Sequence, residues 1–150
     1  MFQKDKEQIQ KYWQEEIYPR QNSITLNNGF YCLFEVSEKD KFLKNKIWLP
    51  ALDLCSEGDD LCEGLATIYT AKDSKGNVIK CGECLASGDD GFISLTTKDT
   101  EELIWLIVLS PTNPFNRIEI RDECIHATSS SGVQVTIPSD RPDTLTVIWK

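Results

Sequence analysis

Long apolar runs, histidine and recognisable catalytic motifs are what this chain has least of, and each shortage removes a class of protein. The longest apolar stretch, Leu103 to Leu109, has seven residues, whereas a membrane-spanning helix needs about 20. The N-terminus, MFQKDKEQIQKYW, carries a charge every few residues and has no apolar core of a secretory leader. Together these features lead to the expectation of a cytoplasmic protein with no membrane partner. There is one histidine, His126, so any Ser-His-Asp or Cys-His scheme would have to run through it. No GxxxxGK[ST], GxGxxG, GxSxG or HExxH pattern occurs, which leaves nucleotide hydrolysis, dinucleotide binding, serine hydrolysis and zinc proteolysis without support.

What the chain does have is acid. Its net charge of −8 is unevenly spread: residues 1–50 hold eight basic against seven acidic residues, 51–110 four against twelve, and 111–150 four against five. The imbalance therefore lies almost wholly in the middle third. Such a surface repels phosphate backbones, which argues against nucleic acid as a ligand and for a basic protein partner. Asp53, Glu57, Asp59, Asp60, Glu63, Glu83, Asp89 and Asp90 fall in two loop-like stretches, and loops on a rigid sheet are where binding residues gather. They are the candidate partner-binding residues, with Trp48 or Tyr69 as aromatic anchors should these be exposed. The order of acids in 53–63 does not follow the alternation of an EF-hand loop, so no calcium site is expected.

Six cysteines in a cytoplasmic chain read first as core thiols, metal ligands or reactive groups, and only then as disulfides. Cys81-Gly82-Glu83-Cys84 is a CxxC pair, in which a glycine turn can bring two sulfurs to one ion. Cys124 and His126 lie two apart and share a face if they sit on a strand. The four make a candidate zinc set, with one internal objection: a strand running straight through Cys81 and Cys84 would turn the two thiols to opposite faces. The surroundings suit thioredoxin-like redox chemistry poorly, because a turn and another strand follow, not a helix.

For the fold, apolar residues at Ile9, Tyr12, Trp13 and Ile17 predict an amphipathic helix over Phe2–Tyr18, closed by Pro19. The sequence NNG followed by FYCLFEV predicts a turn and then a strand with Phe30, Cys32, Phe34 and Val36 on one face. The charged stretch Glu38 to Lys46 suits a short helical turn. LATIYTA, VIKCGECLAS and FISLTT, separated by KDSKGN and GDDG, predict a three-stranded meander. Asp99 to Ser110 is led in by a Thr-Lys-Asp-Thr-Glu-Glu cluster, 97–102, that can cap a helix. The apolar run Leu103 to Leu109 suits either a buried helix or a central strand, which periodicity does not separate over so short a run; a helix start that continues into buried structure is favoured. Strands are expected near 117–121, 124–128, 133–137 and 145–149, divided by SSSG and SDRPD.

The expected fold class is α+β: a mainly antiparallel sheet of six to eight strands, the N-terminal helix and one or two further short helices, in a single domain over 1–150. The function that charge, size and missing chemistry favour is non-catalytic: an acidic inhibitor or immunity protein that covers a basic partner such as a bacterial toxin nuclease, without a cofactor. The alternatives are a zinc-stabilised β domain acting as an adaptor or regulatory subunit, and a small enzyme using cysteine or paired carboxylates at a site no motif marks.

Overall fold

A computed structural model describes residues 1–20, 22–55 and 61–149. The organising element is a seven-stranded, wholly antiparallel sheet in the order β4-β3-β2-β9-β8-β7-β6. Its strands are β2 (Ser23–Leu26), β3 (Phe30–Glu35), β4 (Lys44–Pro50), β6 (Leu65–Lys72), β7 (Val78–Cys84), β8 (Gly91–Thr96) and β9 (Leu103–Leu109). The expected meander is present as β6-β7-β8, with Ile79 opposite both Ala71 and Leu95.

The centre of the sheet decides between the two readings of residues 103–109 for the central strand and against the favoured helix start. Residues 103–109 form β9, paired with β2 on one side and β8 on the other, and no helix begins in 97–102. The run is apolar all round because both faces of this strand are covered. Trp105, Ile107 and Leu109 enter one core, and Leu103, Leu106 and Val108 enter another. A strand buried on both faces loses the alternation that would announce it. The hydroxyls that looked like a helix cap serve a turn instead: Thr97 Oγ1 lies 2.8 Å from Thr100 Oγ1 and accepts the Glu102 amide at 3.1 Å.

The first core lies between this sheet and a four-stranded antiparallel sheet, β10-β11-β12-β13. Its strands are β10 (Phe115–Arg121), β11 (Cys124–Ser129), β12 (Gln134–Pro138) and β13 (Thr146–Ile148). Phe115, Ile118, Ile125, Ala127, Val135, Ile137 and Val147 face inward across it. In β12 and β13 the period-two alternation is legible in the sequence, since the outer face is solvated.

The second core lies under α1 (Gln3–Gln14), α2 (Ala51–Cys55) and a two-stranded ribbon of β1 (Ile17–Pro19) and β5 (Leu61–Glu63). Ile9, Tyr18, Ala51 and Leu54 pack there on Tyr31, Leu33, Phe92 and Val108. Gln10 fixes α1 to the sheet by donating to the Leu103 carbonyl and accepting the Leu103 amide, both at 2.9 Å. Buried Asp5 accepts the Leu52 amide at 3.0 Å and so holds the first turn of α2 against α1.

Helix α1 is shorter than its periodicity predicts. Glu16 adopts φ 57°, which turns the chain into the ribbon, where Ile17 pairs with Glu63. In place of a helical turn at 38–46 the chain makes a tight turn, a bridge from Phe42 to Thr146, and the start of β4 at Lys44. The α+β class and its antiparallel character hold, with thirteen strands in three sheets among the described residues. No helix among them is long and apolar enough to cross a membrane.

Candidate functional site

The parity of β7 decides the fate of the CxxC pair. Cys81 points into the inter-sheet core and Cys84 into the core beneath the helices, so the two thiols occupy opposite sides of one sheet. Gly82 serves packing. The β6-β7 register passes from Thr67 opposite Gly82 to Tyr69 opposite Cys81, leaving Ile68 as the extra residue of a bulge. A Cβ at position 82 would run into the Ala66 carbonyl oxygen and lie 2.9 Å from the Ile68 nitrogen. Cys124 and His126 do share a face, but it is the outward face of the second sheet, where His126 Nδ1 is 3.2 Å from Thr136 Oγ1. The proposed Cys81, Cys84, Cys124 and His126 set is therefore not assembled. No group of three or more His, Cys, Asp or Glu side chains among the described residues is placed to hold a metal.

Burial also removes reactivity from the core thiols. It pushes Cys81 and Cys84 up to about 12 and Cys32 up to about 11. At Cys84 the carboxylates of Asp90 and Glu83 add to the effect of burial, as does Cys62. Tyr18, which donates to the Gly64 carbonyl at 3.0 Å, is raised by burial and then by Cys84. These groups stay protonated near neutrality, whereas a nucleophile or metal ligand needs the thiolate.

The acidic candidates have a different fate. Glu63 ends β5, Glu83 lies in β7, and Asp89 and Asp90 lie in the β7-β8 turn. The sheet brings these four to one end. Leu65 is opposite Cys84, the Leu85 amide donates to the Gly64 carbonyl at 3.0 Å, and the Cys84 amide donates to the Asp90 carbonyl at 3.2 Å. Glu16, which the sequence did not single out, joins them through Oε1, which accepts the Leu65 amide at 3.1 Å. Asp53 lies on the exposed side of α2, which packs on α1 and β4. Glu57, Asp59 and Asp60 lie outside the described residues.

Two features set this end apart. Among the described residues, none of Glu63, Glu83, Asp89 and Asp90 enters an ion pair, although five pairs occur elsewhere. The chain has no Lys or Arg between Lys46 and Lys72, and none between Lys80 and Lys98. Local cations therefore do not cancel the field of these carboxylates. At this end Leu85, in the turn between Glu83 and Asp89, is 59% exposed, and further along edge strand β6, opposite Cys81 and Gly82, Ile68 is exposed at 51% and Tyr69 at 42%. Trp48 is exposed too, but on the opposite edge strand, β4, beside Lys44 and Lys46. Exposed Leu85 thus shares the end of β7 and its turn with carboxylates of one sign, Glu83, Asp89 and Asp90.

The chain matches no family model, no curated protein and no solved structure.

Proposed function

We propose that this chain is a non-catalytic inhibitor or immunity-type protein that binds a basic protein partner through the acidic end of its large sheet. The observation that carries the proposal is the set of four carboxylates, Glu63, Glu83, Asp89 and Asp90, without ion-pair partners among the described residues and arranged around exposed Leu85. A functional surface tolerates uncompensated charge that a merely soluble one would intersperse with the opposite sign. Against a toxin nuclease, the carboxylates would stand where substrate phosphates bind in its cationic cleft, and Leu85 and Tyr69 would supply the desolvated contact. Such a partner suits the cytoplasm, where the thiols remain reduced. The same charge disfavours nucleic acid as a ligand.

The test is co-purification of the tagged chain from its own cells, alongside the E63K/E83K/D89K/D90K variant. A basic chain held at fixed stoichiometry by the natural protein, lost by the variant, and associating more slowly in added salt supports the proposal. Equal capture by both proteins sinks it.

A further inference from the structure

Strand β7 runs from the β6-β7 turn to the acidic turn at 85–90, so its start lies roughly 20 Å from the surface described above, at about 3.3 Å per residue. At that start a groove of about 460 Å3 opens between the two sheets, under the β6-β7 turn, the β10-β11 turn and the segment after β12. Leu95, Ile104 and Ile120 give it an apolar wall, and the latter two are only partly covered by the core they pack against. The opposing wall is acidic. Asp122 and Glu123 project from the β10-β11 turn and Asp140 from the segment after β12, all three exposed. None of their carboxylates has an ion-pair or hydrogen-bond partner among the described residues.

Asp73 also borders the groove, but its carboxylate is engaged by the Lys75 and Asn77 amides, both at 2.9 Å. Lys75 is the one cation among the bordering residues. The groove thus joins an apolar wall to an excess of unpartnered negative charge. A wholly apolar occupant would desolvate those carboxylates with nothing in return. A bare cation would leave the apolar wall wet.

We propose that the groove receives an arginine side chain projecting from a basic protein partner. Its methylene stem lies along Leu95, Ile104 and Ile120, while its guanidinium meets carboxylates offered by two separate turns. Arginine fits better than lysine because its planar fork can bond several oxygens at once and sheds water more readily than an ammonium. The inference rests on the reading of the chain as a docking protein for a basic partner, and adds a second contact at the far end of β7.

The experiment needs only the purified chain, so its outcome is independent of whether the acidic end captures a partner. N-acetyl-arginine methylamide is titrated at low ionic strength while backbone amide shifts are followed, with the neutral citrulline and the lysine analogues as controls. Saturable shifts are expected at 73–77, 120–123 and 139–140, with affinity at least tenfold weaker for the citrulline analogue and severalfold weaker for the lysine analogue. The D122N/E123Q/D140N variant should keep its other amide positions and lose the arginine response at least tenfold. Non-saturating shifts shared by Glu63, Asp89 and Asp90, an unchanged response in the variant, or tighter binding of the lysine analogue would each overturn the assignment.

Discussion

If Glu63, Glu83, Asp89 and Asp90 are held together for a partner, the free chain carries their mutual repulsion as a loss of stability, and neutralising them should make it more stable. None of the four side chains makes a hydrogen bond or ion pair among the described residues, so the amide variant E63Q/E83Q/D89N/D90N removes charge without removing a structural contact. Only backbone groups of this stretch are structural: the Asp90 carbonyl accepts the Cys84 amide and the Asp89 carbonyl the Asn113 amide at 2.8 Å. Neighbouring like charges at a surface cost about 0.2–0.5 kcal/mol per pair. Glu83 lies opposite Gly91 and so beside Asp90, and Asp89 adjoins Asp90 in sequence, which makes two neighbouring like pairs, for up to about 1 kcal/mol at low salt. A domain of this length should then melt about 2–4 °C higher. The assay is urea unfolding of both proteins in 20 mM and 500 mM salt. The gap should shrink at the higher ionic strength, where the Debye length falls to a few ångströms. A variant less stable than the natural chain in both salts would refute the reasoning, because the carboxylates would then be structural and not held in reserve for a partner.

Three further outcomes follow from the interior. Cys81 and Cys84 are raised to about 12 and Cys32 to about 11, so above the ordinary thiol range the unfolded chain releases protons that the folded chain retains. Stability should be flat below pH 8 and then fall by about 1.4 kcal/mol per pH unit for each such thiol as pH rises toward 11; urea midpoints that do not change up to pH 10.5 would contradict the burial of these groups. Gly82→Ala should destabilise the chain by roughly 3 kcal/mol or more, because its methyl group meets backbone of β6, which cannot rotate away; thermal unfolding checks this, and a loss below 1 kcal/mol would mean the bulge at Ile68 is not held against Gly82. Gln10→Leu should cost about 1–3 kcal/mol by leaving the Leu103 amide and carbonyl without partners, and faster hydrogen exchange at Leu103 would report the same change site by site.

What the sequence disclosed, and what it hid, follows the covering of each strand. β6-β7-β8 and the C-terminal strands were legible because turn residues separate them and, in the second sheet, one face alternates toward water. β9 was not, because two covered faces erase the period and the Thr-rich lead-in imitates a helix cap. The ribbon of β1 and β5 is three residues per strand, too short for any pattern, and its pairing joins positions 17 and 63. The acidic residues were visible as composition, but their convergence depends on the pairing of Leu65 with Cys84, which no local signal encodes. The CxxC spacing pointed to chemistry, while the odd separation of its thiols, readable from the same residues, pointed to packing; strand geometry decided for packing.

The two edges of the large sheet are built for different fates. An open edge strand is a template for unwanted pairing, and natural sheets blunt it with lysine, proline or a kink. β4 carries Lys44 and Lys46, ends on Pro50, and has Asn45 at φ 52°. β6 is eight residues long with no proline, its one charge is terminal Lys72, and it exposes Ile68 and Tyr69. It is interrupted by the bulge at Ile68, which depends on Gly82, and β10 packs against it. This edge adjoins the end where Glu63, Glu83, Asp89 and Asp90 lie without ion-pair partners among the described residues. Like charge at that end repels a second copy of this chain, so the acids oppose self-association there, and under the proposed function the same field is what would draw a basic partner to it.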